Sequence, residues 1–353
     1  MNEAEKSLAR LAERLSPEHF RELESMKSES LWSDVPLWLW SPILSDAEVE
    51  MIAGHTEELC KALLDFGRKE LAEGRATDWL PPDPGLRKSV AADGPETDPC
   101  FNWRFDFLWE RRANQLTFLE VNAGDPSGLG WVDVFTRDMG EHSLWRDFLA
   151  EGRCFSLFDS LQRATLQRVG CKAHICLISA ASCTVSSDVR CLGKLYERSG
   201  WKVSLADPGE FPFSEDACSL KGERVDVIFR DTYEELFWPP REAVGEGIIQ
   251  AQKAGKLIVL NPLSASFWDI KSLWSRLPST LSTVPATRHL GMTDVEQMVE
   301  ERERWVIKPS HDYGGRGVSC GYATEPGKWR EAVLQAAGAS REFIAQQRAP
   351  GGS

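Results

Sequence analysis

The sequence predicts an α+β fold that contains a parallel, Rossmann-like α/β unit at about residues 172–262. Two observations predict it. Between Ala173 and Asn261, short apolar runs alternate with helix-length segments, the pattern of a parallel sheet wrapped by helices. Before and after that stretch, strand-like runs are joined by short polar or glycine-rich connections instead, the pattern of antiparallel pairs. A chain of 353 residues has room for about two domains, or for one composite domain, at roughly 100–200 residues each.

Taken in order, residues 3–28 are charged and place Leu8, Leu11 and Leu15 at helical spacing, until Ser16-Pro17 divides the pattern into two helices. The Trp- and Pro-rich stretch Leu31–Leu44 reads as a packed loop. Ser45-Asp46-Ala47-Glu48 is a capping box, so a helix opens there and runs to about Ala72. Residues 74–98 hold many Pro, Gly and Asp residues and read as a long loop that closes a helical N-terminal region, 1–98. Asn102–Trp109 and Gln115–Val121 are strands, joined by the polar turn Glu110–Asn114. Leu129–Gln167 reads as mostly helical.

The α/β unit then begins. Ala173–Ser179, Trp201–Leu205, Val225–Arg230 and Leu257–Asn261 are its strands, and its helices lie near Asp188–Ser199 and Arg241–Ala254. No GxGxxG follows the first strand, so a dinucleotide fingerprint is absent. The last third offers helices near Ile270–Arg276, Thr293–Arg304 and Lys328–Ala337. Its strands are Trp305–Pro309, a run around Val318–Tyr322, and Glu342–Gln347.

Composition removes several function classes. The formal charge is −13, which argues against a non-specific nucleic-acid binder. No stretch approaches ~20 consecutive apolar residues, so no membrane span is expected. The first residues are charged and lack the apolar core of a signal peptide. Nine cysteines, an odd number with no CxxC pair, read as reduced thiols and a cytoplasmic protein rather than a disulfide framework or a zinc site. Oligomeric state is not legible.

Two constellations carry chemistry. Arg104 and Asp106 are two apart on one strand, and Glu120 and Asn122 are two apart on the next, so each pair points to one face. If the strands pair, two carboxylates and an amide oxygen converge, an oxygen set suited to Mg²⁺, with Arg104 beside it as a phosphate clamp. The same pattern also suits an ordinary hairpin with a solvated face. The second constellation is Lys308-Pro309-Ser310-His311-Asp312-Tyr313-Gly314-Gly315-Arg316-Gly317. Glycines let backbone N–H groups approach phosphate oxygens, and the lysine adds a point charge. It is not a Walker A loop, because no GKS/T ends it; a tight hairpin is the alternative reading. Elsewhere, Arg230 ends a parallel strand, where it either binds a substrate carboxylate or pairs with a neighbour.

RFD at 104–106, EVN at 120–122, KPSHDYGG at 308–315 and FIAQQ at 343–347 occur in the order found in the circularly permuted ATP-grasp family, which includes the glutathionylspermidine synthases and eukaryotic glutathione synthetases. The chain resembles that family over about residues 100–350. The resemblance implies an ATP-grasp-like fold whose two portions, 99–171 and 263–353, flank the α/β unit. It implies ATP and Mg²⁺ as cofactors, with Asp106, Glu120, Asn122 and Asp312 facing metal. Arg104 would stand near the transferred phosphoryl group. Lys308 would contact ATP phosphates together with Gly314 and Gly315, Lys271 would be an earlier ATP-binding lysine, and Gln346 or its neighbouring backbone would lie at the adenine hinge. The loop Ala123–Gly128 follows the EVN strand where relatives bind the acceptor substrate, with Ser127 as the candidate contact.

The activity so implied is ATP-dependent ligation of a small-molecule or peptide carboxylate to an amine through an acyl phosphate. Members of the family continue well past the adenine strand, whereas here Arg348–Ser353 alone follow it, so a truncated second portion is expected. That departure keeps two alternatives in view: a non-catalytic nucleotide-binding or scaffold protein of the same fold, and a nucleotide-independent binder of a small polar ligand.

Overall fold

A computed structural model describes residues 3–29, 44–80, 84–92, 102–146, 155–179, 187–207, 213–214, 217–220, 222–231, 242–312 and 314–349. The Trp-rich stretch expected as a packed loop lies almost wholly outside the described residues, as does Tyr313. The chain forms two compact units, Met1–Met51 with Asp125–Asn261, and Ile52–Gly124 with Pro262–Ser353.

In the first unit, helices α1 (Glu3–Arg14) and α2 (Pro17–Glu29) match the amphipathic lead-in. Leu11 and Leu23 are buried with Val134, Met139, Leu144 and Trp145, and Leu15 packs against them. Helix α3 (Asp46–Ala72) opens on the expected capping box, with Glu48 N–H donating to Ser45 Oγ at 3.3 Å and Ser45 N–H to Glu48 Oε2 at 2.7 Å. Removing the hydroxyl with Ser45→Ala should cost about 1 kcal/mol, read from the urea midpoint.

The α/β stretch of this unit holds β3 (His174–Ser179), β4 (Lys202–Ala206), and three short strands β5 (Phe213–Ser214), β6 (Ala217–Leu220) and β7 (Glu223–Arg224), followed by β8 (Val227–Asp231) and β9 (Ile258–Leu260). The strands β4-β3-β8-β9 form one parallel sheet in that order. Every residue of β3 is buried, as a central parallel strand requires. The stretch read as mostly helical resolves into α5 (Trp131–Met139) and α6 (Leu157–Val169), and α7 (Ser187–Arg198) and α8 (Glu242–Lys253) are the helices of the α/β stretch. The hairpins β5-β6 and β6-β7 were not predicted; they are ladders of two residue pairs each, too short to show a period.

The second unit takes α3 from Ile52 onward. Residues 74–98, expected as loop, contain a 3₁₀ turn (Ala76–Trp79) and helix α4 (Pro84–Ala92). Proline at the first helical position favours α4, because its missing N–H would have no partner there. The turn is fixed by Glu70, 5% exposed, which accepts bonds from the Arg75 guanidinium and from Trp79 Nε1 at 2.8 Å. The Arg75 hydrogen bonds hold the Glu70 carboxyl below its ordinary value of 4.5, against the opposing effect of burial. A depressed folded-state pKa means this stabilisation is present above pH 4.5 and is lost as pH falls through the folded value. Glu70→Gln should therefore flatten the acid limb of the stability–pH curve below pH 4.5, which urea titrations at stepped pH would show.

Strands β1 (Arg104–Glu110) and β2 (Gln115–Asn122) form an antiparallel hairpin, turning at Asn114 with φ 50°. A four-stranded antiparallel sheet follows in the order β10-β13-β11-β12, made of β10 (Thr287–His289), β11 (Trp305–Pro309), β12 (Ser319–Cys320) and β13 (Phe343–Gln347). Its apolar face packs on α9 (Val295–Glu300) and α10 (Pro326–Ala337) through Met298, Trp329, Val333, Trp305, Ile307 and Phe343. Trp329 Nε1 donates to the Met298 carbonyl at 2.9 Å, which satisfies its buried polar atom. Two of the expected helices take tighter geometry. Lys271–Arg276 is 3₁₀, and Thr293–Arg304 divides into a 3₁₀ turn, α9 and a second 3₁₀ turn.

Candidate active site

The hairpin register decides the first constellation. Arg104 pairs across the ladder with Asn122, and Asp106 with Glu120, so all four side chains stand on one face. The register slips just after Asp106, because Phe107 pairs with Phe118. Leu119 is thereby left over in β2 as a bulge. Its carbonyl accepts from Lys308 Nζ and from Gln346 Nε2, each at 3.4 Å.

Strand β11 delivers Lys308 to the same place. The side chain is 8% exposed, and Nζ donates to Gln346 Oε1 at 2.7 Å. Burial pushes the Lys308 ammonium below its ordinary value of 10.5, while the nearby Glu120 charge pulls the other way. Gln346 is 2% exposed, and its Nε2 also reaches Thr287 Oγ1 at 3.3 Å. Its side chain thus orients the lysine and meets the hairpin at the Leu119 carbonyl.

Lys271 comes from the 3₁₀ segment. Its Nζ donates to the Asp312 carbonyl at 2.8 Å and stands 3.5 Å from Glu120 Oε2. Its backbone N–H donates to the Ser310 carbonyl at 2.8 Å, which ties it to the glycine-rich loop. In that loop Gly314 and Gly315 have φ of 64° and 71°, conformations that L side chains rarely adopt.

These groups line one pocket of about 270 Å³ that gathers Asp106, Glu120, Lys271, Lys308, Asp312, Gly314, Gly315 and Gln346. Leu108, Leu119, Val306 and Val318 supply an apolar wall, and Tyr322, with the Arg348 guanidinium 4.0 Å from its ring centroid, lies at another side. The lining therefore combines lysines and carboxylates with apolar side chains, which suits an amphiphilic anion. Sequence reading missed the Tyr322–Arg348 pair: the strand expected around Val318–Tyr322 ends at Cys320, and Tyr322 lies in the 3₁₀ turn Gly321–Ala323.

The remaining expected residues fall elsewhere. Arg104 holds Asp106 through Nε at 2.9 Å and does not line the pocket. Asn122 Nδ2 is buried without a hydrogen-bond partner among the described residues. Ser127 belongs to the first unit, in a loop whose end is held by buried Asp188, which accepts from the N–H groups of Gly128 and Gly130 at 2.7 Å and of Trp131 at 2.9 Å. Burial raises the Asp188 carboxyl above its ordinary value of 3.8, while these bonds lower it. Arg230 is also in the first unit, 1% exposed, with Nε donating to the Asn261 carbonyl at 3.0 Å.

The carboxylates expected to face metal each stand near a cation: Asp106 near Arg104, Glu120 near Lys271, and Asp312 near Arg341 at 2.8 Å. Among the described residues, no three His, Cys, Asp or Glu side chains cluster in a way that could hold a metal ion. No described helix is long and apolar enough to cross a membrane.

The fold resembles that of a solved glutathione synthetase-like protein. A glutathione synthetase-like effector from Globodera pallida, solved in its apo form, superposes over 94% of this chain and 82% of its own, with a TM-score of 0.58 at 12% identity. In sequence, a Frankia alni protein with a provisional glutamate–cysteine ligase assignment is 25% identical over 305 residues. That alignment takes in 79% of this chain and 35% of the relative, so the chain spans about a third of the relative's length. An ATP-grasp RimK-domain protein from Sphaerobacter thermophilus covers 50% of this chain at a TM-score of 0.32, a likeness too slight to argue from. No family model matches the chain.

Proposed function

We propose that the chain carries an ATP-dependent carboxylate–amine ligase site, in a circularly permuted ATP-grasp arrangement whose two portions, residues 99–171 and 263–353, flank a Rossmann-like unit at 172–262 in the sequence. The observation that supports this reading most is the single pocket shared by two lysines, three carboxylates and a glycine-rich loop drawn from four separate segments. A polyphosphate needs that combination of fixed positive charge and close backbone approach. The apolar lining residues Val306 and Val318 suit a flat base.

In this reading Lys308 and Lys271 neutralise the phosphates, Arg104 would turn to them from Asp106, and Gly314 and Gly315 let the backbone reach them. Asp106, Glu120, Asn122 and Asp312 are the proposed oxygen donors to Mg²⁺; one or two carboxylates at a time, released from their cation partners, would hold the ion with water and phosphate oxygens completing its shell, and it would supply charge neutralisation at the phosphates. The substrate carboxylate attacks the γ-phosphorus, the bond to ADP breaks, and an amine then displaces phosphate from the acyl phosphate to leave an amide.

A thermal melt with and without Mg-ATP tests the site. At ~100 times its dissociation constant the nucleotide should stabilise the protein by about 2.7 kcal/mol. Glu120→Ala should abolish the gain while the ligand-free melt stays cooperative. A retained shift in that variant sinks the assignment. ADP release that depends on an added acid and amine separates a ligase from a non-catalytic nucleotide binder of the same fold.

A further inference from the structure

We propose that Asp269 is a positioning residue that sets the spacing between Glu120 and Lys271, and this deepens the reading of the site given above. Asp269 lies outside the pocket, two residues before Lys271. Its carboxylate closes on the backbone that follows β2. Oδ1 accepts from the Ala123 N–H, and both oxygens accept from the Gly124 N–H at 3.1 Å. These two amides come immediately after Asn122, and therefore just beyond the strand that carries Glu120.

The contact is built for closeness. A Cβ on Gly124 would stand 2.6 Å from Asp269 Oδ2 and 2.6 Å from Ser266 Oγ, so no larger residue fits there without displacing the carboxylate. On the other side, Asp269 is anchored by its neighbours. Trp268 is 1% exposed, Ile270 is fully buried, and the Ile270 N–H donates to the Phe267 carbonyl at 3.4 Å. Asp269 is thus a rigid strut between two segments, each bearing one member of the pair. Glu120 Oε2 and Lys271 Nζ stand 3.5 Å apart at its far end, with Lys271 12% exposed. A charged acceptor of amide N–H groups is about twice as strong as a neutral one, which fits a brace rather than a passing contact.

The test reads Lys271 directly. Wild type, Asp269→Asn and Gly124→Ala are treated with an amine-acylating reagent, and the rates at Lys271 and Lys308 are followed by mass spectrometry. Amide hydrogen exchange is measured at Ala123 and Gly124, and Mg-ATP titrations are followed by thermal shift. Asp269→Asn should lose protection at both amides and acylate Lys271 at least fivefold faster, with Lys308 unchanged. Half-saturation with Mg-ATP should need roughly tenfold more nucleotide. Gly124→Ala attacks the same contact from the other side and should repeat the pattern, which decides the matter if Asp269→Asn does not fold.

Lost protection at the two amides with an unchanged Lys271 rate overturns the proposal. So does an equal rise at Lys308, which would mean general loosening. Should wild type show no Mg-ATP shift, the nucleotide reading falls, while the acylation rates still decide the brace.

Discussion

Replacing Lys308 by methionine is expected to give a folded protein that Mg-ATP no longer stabilises. The side chain is 8% exposed, sits among the Gln346 amide oxygen, the Leu119 carbonyl and the Glu120 charge, and lines the pocket proposed for the phosphates. Methionine fills similar volume without charge, so the loss falls on the ligand rather than on packing. At ~100 times the wild-type dissociation constant, the gain of about 2.7 kcal/mol should disappear. A Lys308→Met protein that still gains this stability would mean the anion sits elsewhere.

The same substitution has a pH signature without ligand. Burial lowers the folded-state pKa of Lys308 below 10.5, so in the window beneath 10.5 the unfolded chain binds more protons than the folded one. Stability of the wild type should therefore rise with pH across that window, relative to Lys308→Met. Urea titrations of the pair at stepped alkaline pH would show it, and parallel curves would contradict the burial argument.

The second large effect is on stability alone. Gly67→Ala places a Cβ within 1.8 Å of the present Trp268 ring. That ring is 1% exposed and boxed in by Phe267 at 5.1 Å and Trp103 at 5.6 Å between centroids. It has nowhere to swing, so the helix or the ring must shift. Overpacking of this kind costs about 1–3 kcal/mol, sometimes more. A calorimetric melt should fall by several degrees, with a red-shifted or broadened tryptophan emission if the ring moves. A melt within one degree of wild type, at roughly 2–4 degrees per kcal/mol for domains of 150–250 residues, would show that the contact relaxes freely.

Much of this architecture is legible from residues alone, for reasons that differ by element. Helix α3 announces both its ends, because Ser45 and Glu48 satisfy each other's amides and the glycine Gly74 follows its close. Strand β3 is an unbroken apolar run because both its faces are covered. The pocket lysine and the glycines beside it are visible because a reversal with φ near +70° has few residue choices.

Other parts leave no local trace. β10 is Thr287-Arg288-His289, an edge strand that exists through its pairing with β13 rather than through any pattern of its own. Helix α4 hides in a stretch whose composition suits loops. Gln346 was expected at an adenine hinge, yet the direction of its amide toward Lys308 and Thr287 depends on the register of three strands. Asp188 and Asp269 look like ordinary helix-start and turn aspartates. Only the fold reveals that each collects backbone amides from a segment more than fifty residues away.

The extra residue in β2 constrains how this gene can change. Leu119 stands outside the regular pairing, and its freed carbonyl is where Lys308 and Gln346 meet the hairpin. Deleting one codon between Phe107 and Leu119 in β1 or β2 proper would shift every later side chain by half a repeat and turn Glu120 and Asn122 away from Asp106. The turn at residues 111–114, by contrast, can gain or lose residues without touching that phase. Length variation in this hairpin should therefore be confined to its tip, and a deep insertion–deletion library would recover stable, nucleotide-responsive members there and not along the strands.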